Sequence, residues 1–279
     1  MNLGPNIHGA NFALRFWGVR GSTPTPVARN LRYGGNTTCV SVESNADQLL
    51  IFDAGSGIRS LGSELVQRAQ PPKVLHLFFT HFHWDHLQGL PFFAPLFHKD
   101  THLIFHSARP PEELSSILVR QMATPFFPVD FSAVPSRLEF RQIATDALNF
   151  GDLTVQGFPL HHPQGAHGYR IADEHRSIVF ATDHEHGDTT IDANLRAIAH
   201  KADVLIYDAQ YTPAEYASHK GWGHSTWQEA VNVASDAQVG QLVLYHHDPD
   251  RDDDALDMIV DKAQRQFSET IAARESSTV

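Results

Sequence analysis

Thr80-His81-Phe82-His83-Trp84-Asp85-His86 follows directly on the apolar run Val74–Phe79. A nearly continuous run of apolar residues is what a strand buried on both faces requires. Three imidazoles and a carboxylate at the end of such a strand would fill a core poorly. They are, however, the common protein donors for zinc and similar divalent ions. Alternation points His81 and His83 the same way, and a turn can swing Asp85 and His86 toward a second ion. A solvated, idle His-rich loop is the bland alternative. It does not explain why further His and Asp residues also end apolar runs.

Those runs repeat along the chain. Leu14–Trp17, Val40–Val42, Leu49–Phe52, Leu103–Phe105, Leu153–Phe158, Ser177–Ala181, Val204–Tyr207 and Leu242–Tyr245 read as strands between turn residues. Ile58–Arg68 carries Ile58, Leu61 and Leu65 on one helical face. Leu256, Ile259, Val260, Ala263, Phe267 and Ile271 recur at helical spacing and predict a terminal amphipathic helix. No linker divides residues 1–279, so the reading is a single α/β domain. Its one insertion, 110–141, combines a short helical pattern with Thr124-Pro125-Phe126-Phe127-Pro128. The insertion reads equally as a cover for the core or as a lid over a pocket.

Composition narrows the function. The formal net charge of −11 argues against a surface built to wrap a long polyphosphate, which needs many Lys and Arg contacts. A single cysteine, Cys39, excludes an intramolecular disulfide and a thiolate metal cage. No run approaches a membrane span, and Met1–Gly9 lacks the basic and apolar regions of a secretory signal, so a cytoplasmic location is expected. Nineteen histidines are many for this length, and they cluster at 81–86, 161–167, 184–186 and 246–247.

His81-x-His83-x-Asp85-His86 after an apolar strand resembles the signature of the metallo-β-lactamase superfamily. Phe16-Trp17-Gly18-Val19-Arg20-Gly21-Ser22, Tyr33-Gly34-Gly35-Asn36-Thr37-Thr38-Cys39 and Phe52-Asp53-Ala54-Gly55-Ser56-Gly57 are similar to the opening of its ribonuclease Z-like and cyclic-nucleotide phosphodiesterase-like branch. The resemblance implies a four-layer αββα sandwich, with two metal ions at the rim where the sheets meet. It implies His81, His83 and His162 on one ion, Asp85, His86 and His246 on the other, and Asp183 shared. His162 is preferred because His-Pro precedes Gly168-Tyr169, with His161 as the alternative. His246 is preferred as the first histidine after its strand, with His247 as the alternative. Zinc suits this donor set, and Mn²⁺ or Fe²⁺ are tolerated by it. Two ions so placed could acidify a bridging water and clamp the oxygens of an in-line displacement, with Asp85 counted among the catalytic residues.

Gly223-His224-Ser225-Thr226 precedes a helical pattern, and Thr226-x-x-Glu229 fits a capping box. A histidine in a His-Ser-Thr sequence assists the leaving oxygen in ribonuclease Z-like enzymes. The resemblance therefore implies a general-acid role for His224, against a purely capping one. Asp53 and Asp208 end apolar runs and read as partners that orient histidines.

The fold alone supports several chemistries. The acidic chain without a basic arm, and Phe126 and Phe127 suited to stacking on a base, favour a phosphodiesterase for a small substrate such as a cyclic nucleotide. A ribonuclease processing tRNA 3′ ends is the alternative. A non-hydrolytic redox or ligand-sensing protein is a third reading, disfavoured because the length leaves no space for an electron-carrier domain. Members of the branch it resembles often form homodimers, so a homodimer is possible here, and the sequence leaves the oligomeric state open.

Overall fold

The structure is a computed structural model and describes residues 12–44, 48–143 and 145–277; the segment Met1–Gly9 lies outside them. Its first half alternates strands and helices. In order these are β1 (Phe12–Gly18), β2 (Cys39–Ser44), β3 (Leu49–Phe52), α1 (Ile58–Gln67), β4 (Val74–Phe78), α2 (Trp84–Leu87), β5 (His102–Ser107), α3 (Pro111–Gln121) and β6 (Arg137–Gln142). The second half runs β7 (Ala147–Phe150), β8 (Leu153–Leu160), β9 (Ala166–Ala172), β10 (Ser177–Ala181) and α4 (Thr189–Ala199). It continues with β11 (Val204–Asp208), α5 (Pro213–Tyr216), α6 (Trp227–Ala237), β12 (Gln241–Tyr245), α7 (Asp253–Gln264) and β13 (Thr270–Ala272).

Strands β1 to β6 form one sheet in sequence order, and β13-β12-β11-β10-β9-β8-β7 form the second. Strands β3 to β6 are parallel, as are β10 to β13, so each sheet presents several carboxyl ends along one edge. Such edges are where open α/β sheets place their ligands.

Three apolar clusters mark the interfaces of four layers. Phe16, Phe52 and Phe78 of the first sheet meet Tyr169, Phe180 and Tyr245 of the second. On the outer face of the first sheet, Ile58, Leu61 and Leu65 of α1 and Leu114 and Leu118 of α3 cover Leu77 and Leu103. On the outer face of the second, Leu195 of α4, Val233 of α6 and Ile259 of α7 cover Val179, Leu205 and Leu242. This is the expected αββα sandwich.

Two local expectations change. The terminal amphipathic helix stops at Gln264, and Ile271 belongs to β13, an edge strand paired in parallel with β12. Phe267 turns the chain there, its N–H donating to the Ala263 carbonyl. Three residues of strand are too short for alternation to reveal, and Ile271 happened to fall in helical register. The capping box at Thr226 is half formed: Thr226 accepts from the Glu229 N–H at 3.1 Å, but the Glu229 carboxylate pairs with Arg196 at 2.7 Å. A reciprocal box is found instead at Thr212 and Glu215.

Residues 110–141 comprise α3, a 3-10 turn at Phe131–Ala133 and most of β6. Phe126 is exposed, and Phe127 packs edge-on against Phe92 at 5.7 Å. Among the described residues, no helix is long and apolar enough to cross a membrane.

Candidate metal centre

Five strands deliver the candidate ligands and Asp208 to one edge. His81 and His83 follow β4, with Asp85 and His86 on the first turn of α2. His162 follows β8, Asp183 follows β10, Asp208 ends β11 and His246 follows β12. Asp53, Asp183 and His246 each adopt a left-handed backbone, with φ of 62°, 57° and 59°. This conformation costs a non-glycine residue roughly 1–2 kcal/mol. Three strands therefore end in the same strained step, which turns each side chain over the edge of its sheet.

The ligand atoms of His81, His83 and His162 lie within 4.8 Å of one another, and so do those of Asp85, His86, Asp183 and His246. Asp183 joins the two groups. Its Oδ2 is 3.2 Å from His86 Nε2 and 3.4 Å from His246 Nε2, whereas Oδ1 is 3.8 Å from His81 Nε2 and 3.9 Å from His162 Nε2. Each carboxylate oxygen faces one half of the cluster. His161 lies outside it, with Nδ1 on the Glu185 carbonyl, and His247 turns away to the Ala273 carbonyl. His184 and His186 pair with Asp192 and Ser225.

A set of outer contacts fixes which nitrogen each ring presents. His86 Nδ1–H donates to Asp53 Oδ2 at 2.8 Å, His162 Nδ1–H to the Gly223 carbonyl at 2.8 Å, and His246 Nδ1–H to Gln210 Oε1 at 2.9 Å. The Thr80 hydroxyl donates to Asp53, so His81 Nδ1–H donates to Thr80 Oγ1 at 3.0 Å. In all four rings Nε2 is left facing the centre. Asp53 and Asp208 hold the orienting positions expected from sequence. Gln210 and Glu185 were not foreseen. The buried Glu185 carboxylate accepts from the N–H groups of Gly221 and Gly223 at 2.7 and 2.8 Å, fixing the loop that carries His224. Gly223 has φ +89°, and a Cβ there would lie 2.2 Å from His162 Nδ1, so only glycine lets the loop approach this ring.

The cluster fits a pair of cations. His81 Nε2 is buried without a hydrogen-bond partner, a state that costs about 1–3 kcal/mol when nothing else engages it, and His86 Nε2 faces the carboxylate oxygens of Asp183 and Asp85 at 3.2 and 3.4 Å. Burial lowers the pKa of His81 and His162, leaving neutral rings able to donate a lone pair. Burial also opposes charge on His86, but Asp183, Asp85 and Asp53 overcome it and hold its pKa well above the usual value. Asp183 is held well below the usual carboxylate range: burial opposes this, and His246, His86 and His81 prevail. Four buried carboxylates, Asp53, Asp85, Asp183 and Asp208, thus converge where positive charge is required. Imidazole and carboxylate are donors that zinc, manganese and iron all accept.

His224 stands beside this cluster. Its ring stacks on His246 with centroids 4.8 Å apart, and its Nδ1–H donates to Asp208 Oδ2 at 2.8 Å. Burial opposes its charge, but Asp208 and then Asp183 and Asp85 prevail, pushing its pKa up to about 9. Next to the His81–His83–His162 half opens a cavity of 150 Å³, walled by Phe82, Arg109, Glu113, Ile117 and Pro163. A cavity of 230 Å³ adjoins it and shares His81, Phe82, Arg109 and Gln164.

A family profile described as "Beta-lactamase superfamily domain" matches residues 49–247. A ribonuclease Z of Streptococcus suis is 25% identical over 289 residues, covering 85% of this chain and 89% of the relative. Among solved structures, a diphosphatase of the PhnP family superposes with a TM-score of 0.69 at 17% identity, covering 96% of this chain and 97% of that one. The short form of human tRNase Z superposes with a TM-score of 0.65 at 20% identity, covering 96% and 98%.

Proposed function

The chain belongs to the β-lactamase superfamily, and from that premise we propose that it is a two-metal hydrolase that cleaves small phosphodiesters such as cyclic nucleotides. The observation that carries this reading is the division of Asp183, one oxygen toward His86 and His246 and the other toward His81 and His162. That division suits a carboxylate shared by two cations. His81, His83 and His162 would hold one ion; Asp85, His86 and His246 would hold the other. Two divalent ions in such a site supply Lewis-acid charge to a phosphoryl oxygen and lower the pKa of water.

The chain's own residues supply the rest. His224 is the general acid, donating its proton from Nε2 to the leaving oxygen. Asp208 holds His224 by Nδ1, favours the charged ring, and accepts from the backbone N–H groups of Asp183, Gln210 and Ser225, each at 3.1 Å. Asp85 accepts from the Ser22 N–H at 2.8 Å, which orients its carboxylate toward His246. Residues 110–141 form one wall of the substrate pocket through Glu113 and Ile117, within a single domain. Zinc is the first choice of ion, and a cytoplasmic setting accords with the lone, buried Cys39.

Processing of tRNA 3′ ends is the second reading, favoured by the ribonuclease Z relative, which spans most of both chains. The net charge of −11 speaks against it. The two readings separate in one assay, in which protein loaded with zinc or manganese is offered cyclic nucleotides, linear phosphodiesters and pre-tRNA. Turnover of the small esters is expected. Cleavage of pre-tRNA alone would replace the first reading with the second.

A further inference from the structure

We propose that Arg109 is a specificity residue that binds a second phosphate, one carried by the part of the substrate that does not react. The proposal rests on the phosphodiesterase reading above. Among the described residues, Arg109 is the one Arg or Lys lining the two cavities that open beside His81 and His83. On a chain of net charge −11, Arg109 is thus a local cation for an anionic group held away from the reacting centre.

Arg109 is held for that purpose. Its Nη1 donates to Glu113 Oε1 at 3.1 Å and its Nη2 to the Gln164 carbonyl at 3.2 Å. These bonds use two of five N–H donors and leave three, enough for a forked contact with phosphate. The Gln164 carbonyl reaches Arg109 because Gln164 adopts φ 68°, a strained choice for a non-glycine residue, followed by Gly165 at φ 85°. A Cβ built on Gly165 would meet nothing within 4 Å, so the loop opens onto free space beside the guanidinium. This loop follows His162 directly, with the Gly165 N–H donating to the His162 carbonyl at 2.9 Å. One short segment therefore joins a candidate metal ligand to the tether of Arg109. An exposed Arg–Glu pair by itself adds little to stability. A strained turn aimed at Arg109 is better explained by a need to orient it.

The test uses a matched pair of esters: thymidine 5′-(p-nitrophenyl phosphate), and the same ester carrying a 3′-phosphate. With zinc- or manganese-loaded protein, the 3′-phosphate is expected to lower KM by roughly 10-fold or more. Arg109→Gln should bring the KM ratio close to one, while Arg109→Lys, which keeps the charge and loses the fork, should retain part of it. A ratio near one in the unaltered protein, or an unchanged ratio in Arg109→Gln, overturns the proposal. Calorimetry with thymidine 3′,5′-bisphosphate against thymidine 5′-monophosphate makes the same comparison without turnover. If neither ester is hydrolysed, the phosphodiesterase reading fails by itself. Arg109 is then judged by whether the bisphosphate binds about 10-fold tighter and whether Arg109→Gln removes that difference.

Discussion

Asp208 accepts a hydrogen bond from His224 Nδ1 at 2.8 Å and another from the backbone N–H of Asp183 at 3.1 Å through the same oxygen. One buried carboxylate thus ties the candidate proton donor to the backbone of the residue that joins the two halves of the cluster. His224→Ala should lower kcat by roughly 10²–10⁴-fold, the range for loss of a general acid. Metal content, measured by elemental analysis, should stay at two ions per chain. Loss of metal in this variant would reassign His224 as a ligand.

The same contact sets a pH dependence. The general acid works in its protonated form, so kcat is lost as pH rises through the His224 pKa. Asp208 raises that pKa, through its charge and through the hydrogen bond it accepts from Nδ1. Asp208→Asn removes the charge and keeps an oxygen acceptor, so the alkaline limb of the kcat–pH profile should move to lower pH. An unmoved limb would show that another group titrates there.

Asp183 faces both halves of the cluster, and its left-handed backbone limits how it can be tested. Alanine at φ 57° would add backbone strain, whereas asparagine tolerates this conformation. Asp183→Asn should therefore keep the fold while depleting metal, read as fewer than two ions per chain after dialysis. Two ions retained at full occupancy would refute a shared carboxylate. Since any ion that binds only the folded chain stabilises it, the variant should also lose most of the Tm difference between metal-loaded and chelator-treated protein.

Asp53 stands behind His86 and acts through its Nδ1 at 2.8 Å and through the Thr80 hydroxyl at 2.9 Å. Removing such an orienting carboxylate typically costs about 10–100-fold in metal affinity. Asp53→Asn should weaken binding by that amount in a competition titration with a chelating dye. An unchanged affinity would make Asp53 a structural residue only.

How much of this could be read without coordinates depended on how far each signal reached along the chain. Val74–Phe79 with His81 to His86 is a local pattern, legible because a strand buried on both faces is apolar throughout. Asp183 and His246 were legible because each follows such a strand at once. Of the four edge strands β1 was legible as Leu14–Trp17, and β6, β7 and β13 were not. Arg137-Leu138-Glu139-Phe140-Arg141-Gln142 is half exposed and charged, and its place beside β5 comes from long-range pairing. Gln210 and Glu185 were also hidden, since a carboxamide under His246 and a carboxylate under Gly221 and Gly223 leave no spacing rule in the sequence. The left-handed steps at Asp53, Asp183 and His246 are likewise imposed by the sheet edge, not by residue type.

The core between the sheets contains a second histidine pair, far from any role in the site, that makes stability depend on pH. His76 Nδ1 lies 3.0 Å from His106 Nε2, and the His106 ring stacks on Phe78 with centroids 4.4 Å apart. Burial, helped by the charge of Arg141 and neighbouring histidines, pushes His76 down to about 4 and His106 down to about 3. Unfolded, both would titrate near the ordinary value of about 6.5. Below that value the unfolded chain binds protons that the folded chain refuses. Stability is therefore full above pH 6.5 and is lost as pH falls through the interval toward 4 and 3. Chelator-treated protein should melt at a lower temperature at pH 5 than at pH 7, and other histidines contribute to that drop as well. Their share cancels in a comparison with His76→Leu/His106→Phe, which replaces both rings with apolar groups beside Phe78 and Phe150. The drop should shrink in the double variant by about 2–4 °C for each kcal/mol the pair contributes. Equal drops in the two proteins would mean that the pair is not what makes the core acid-sensitive.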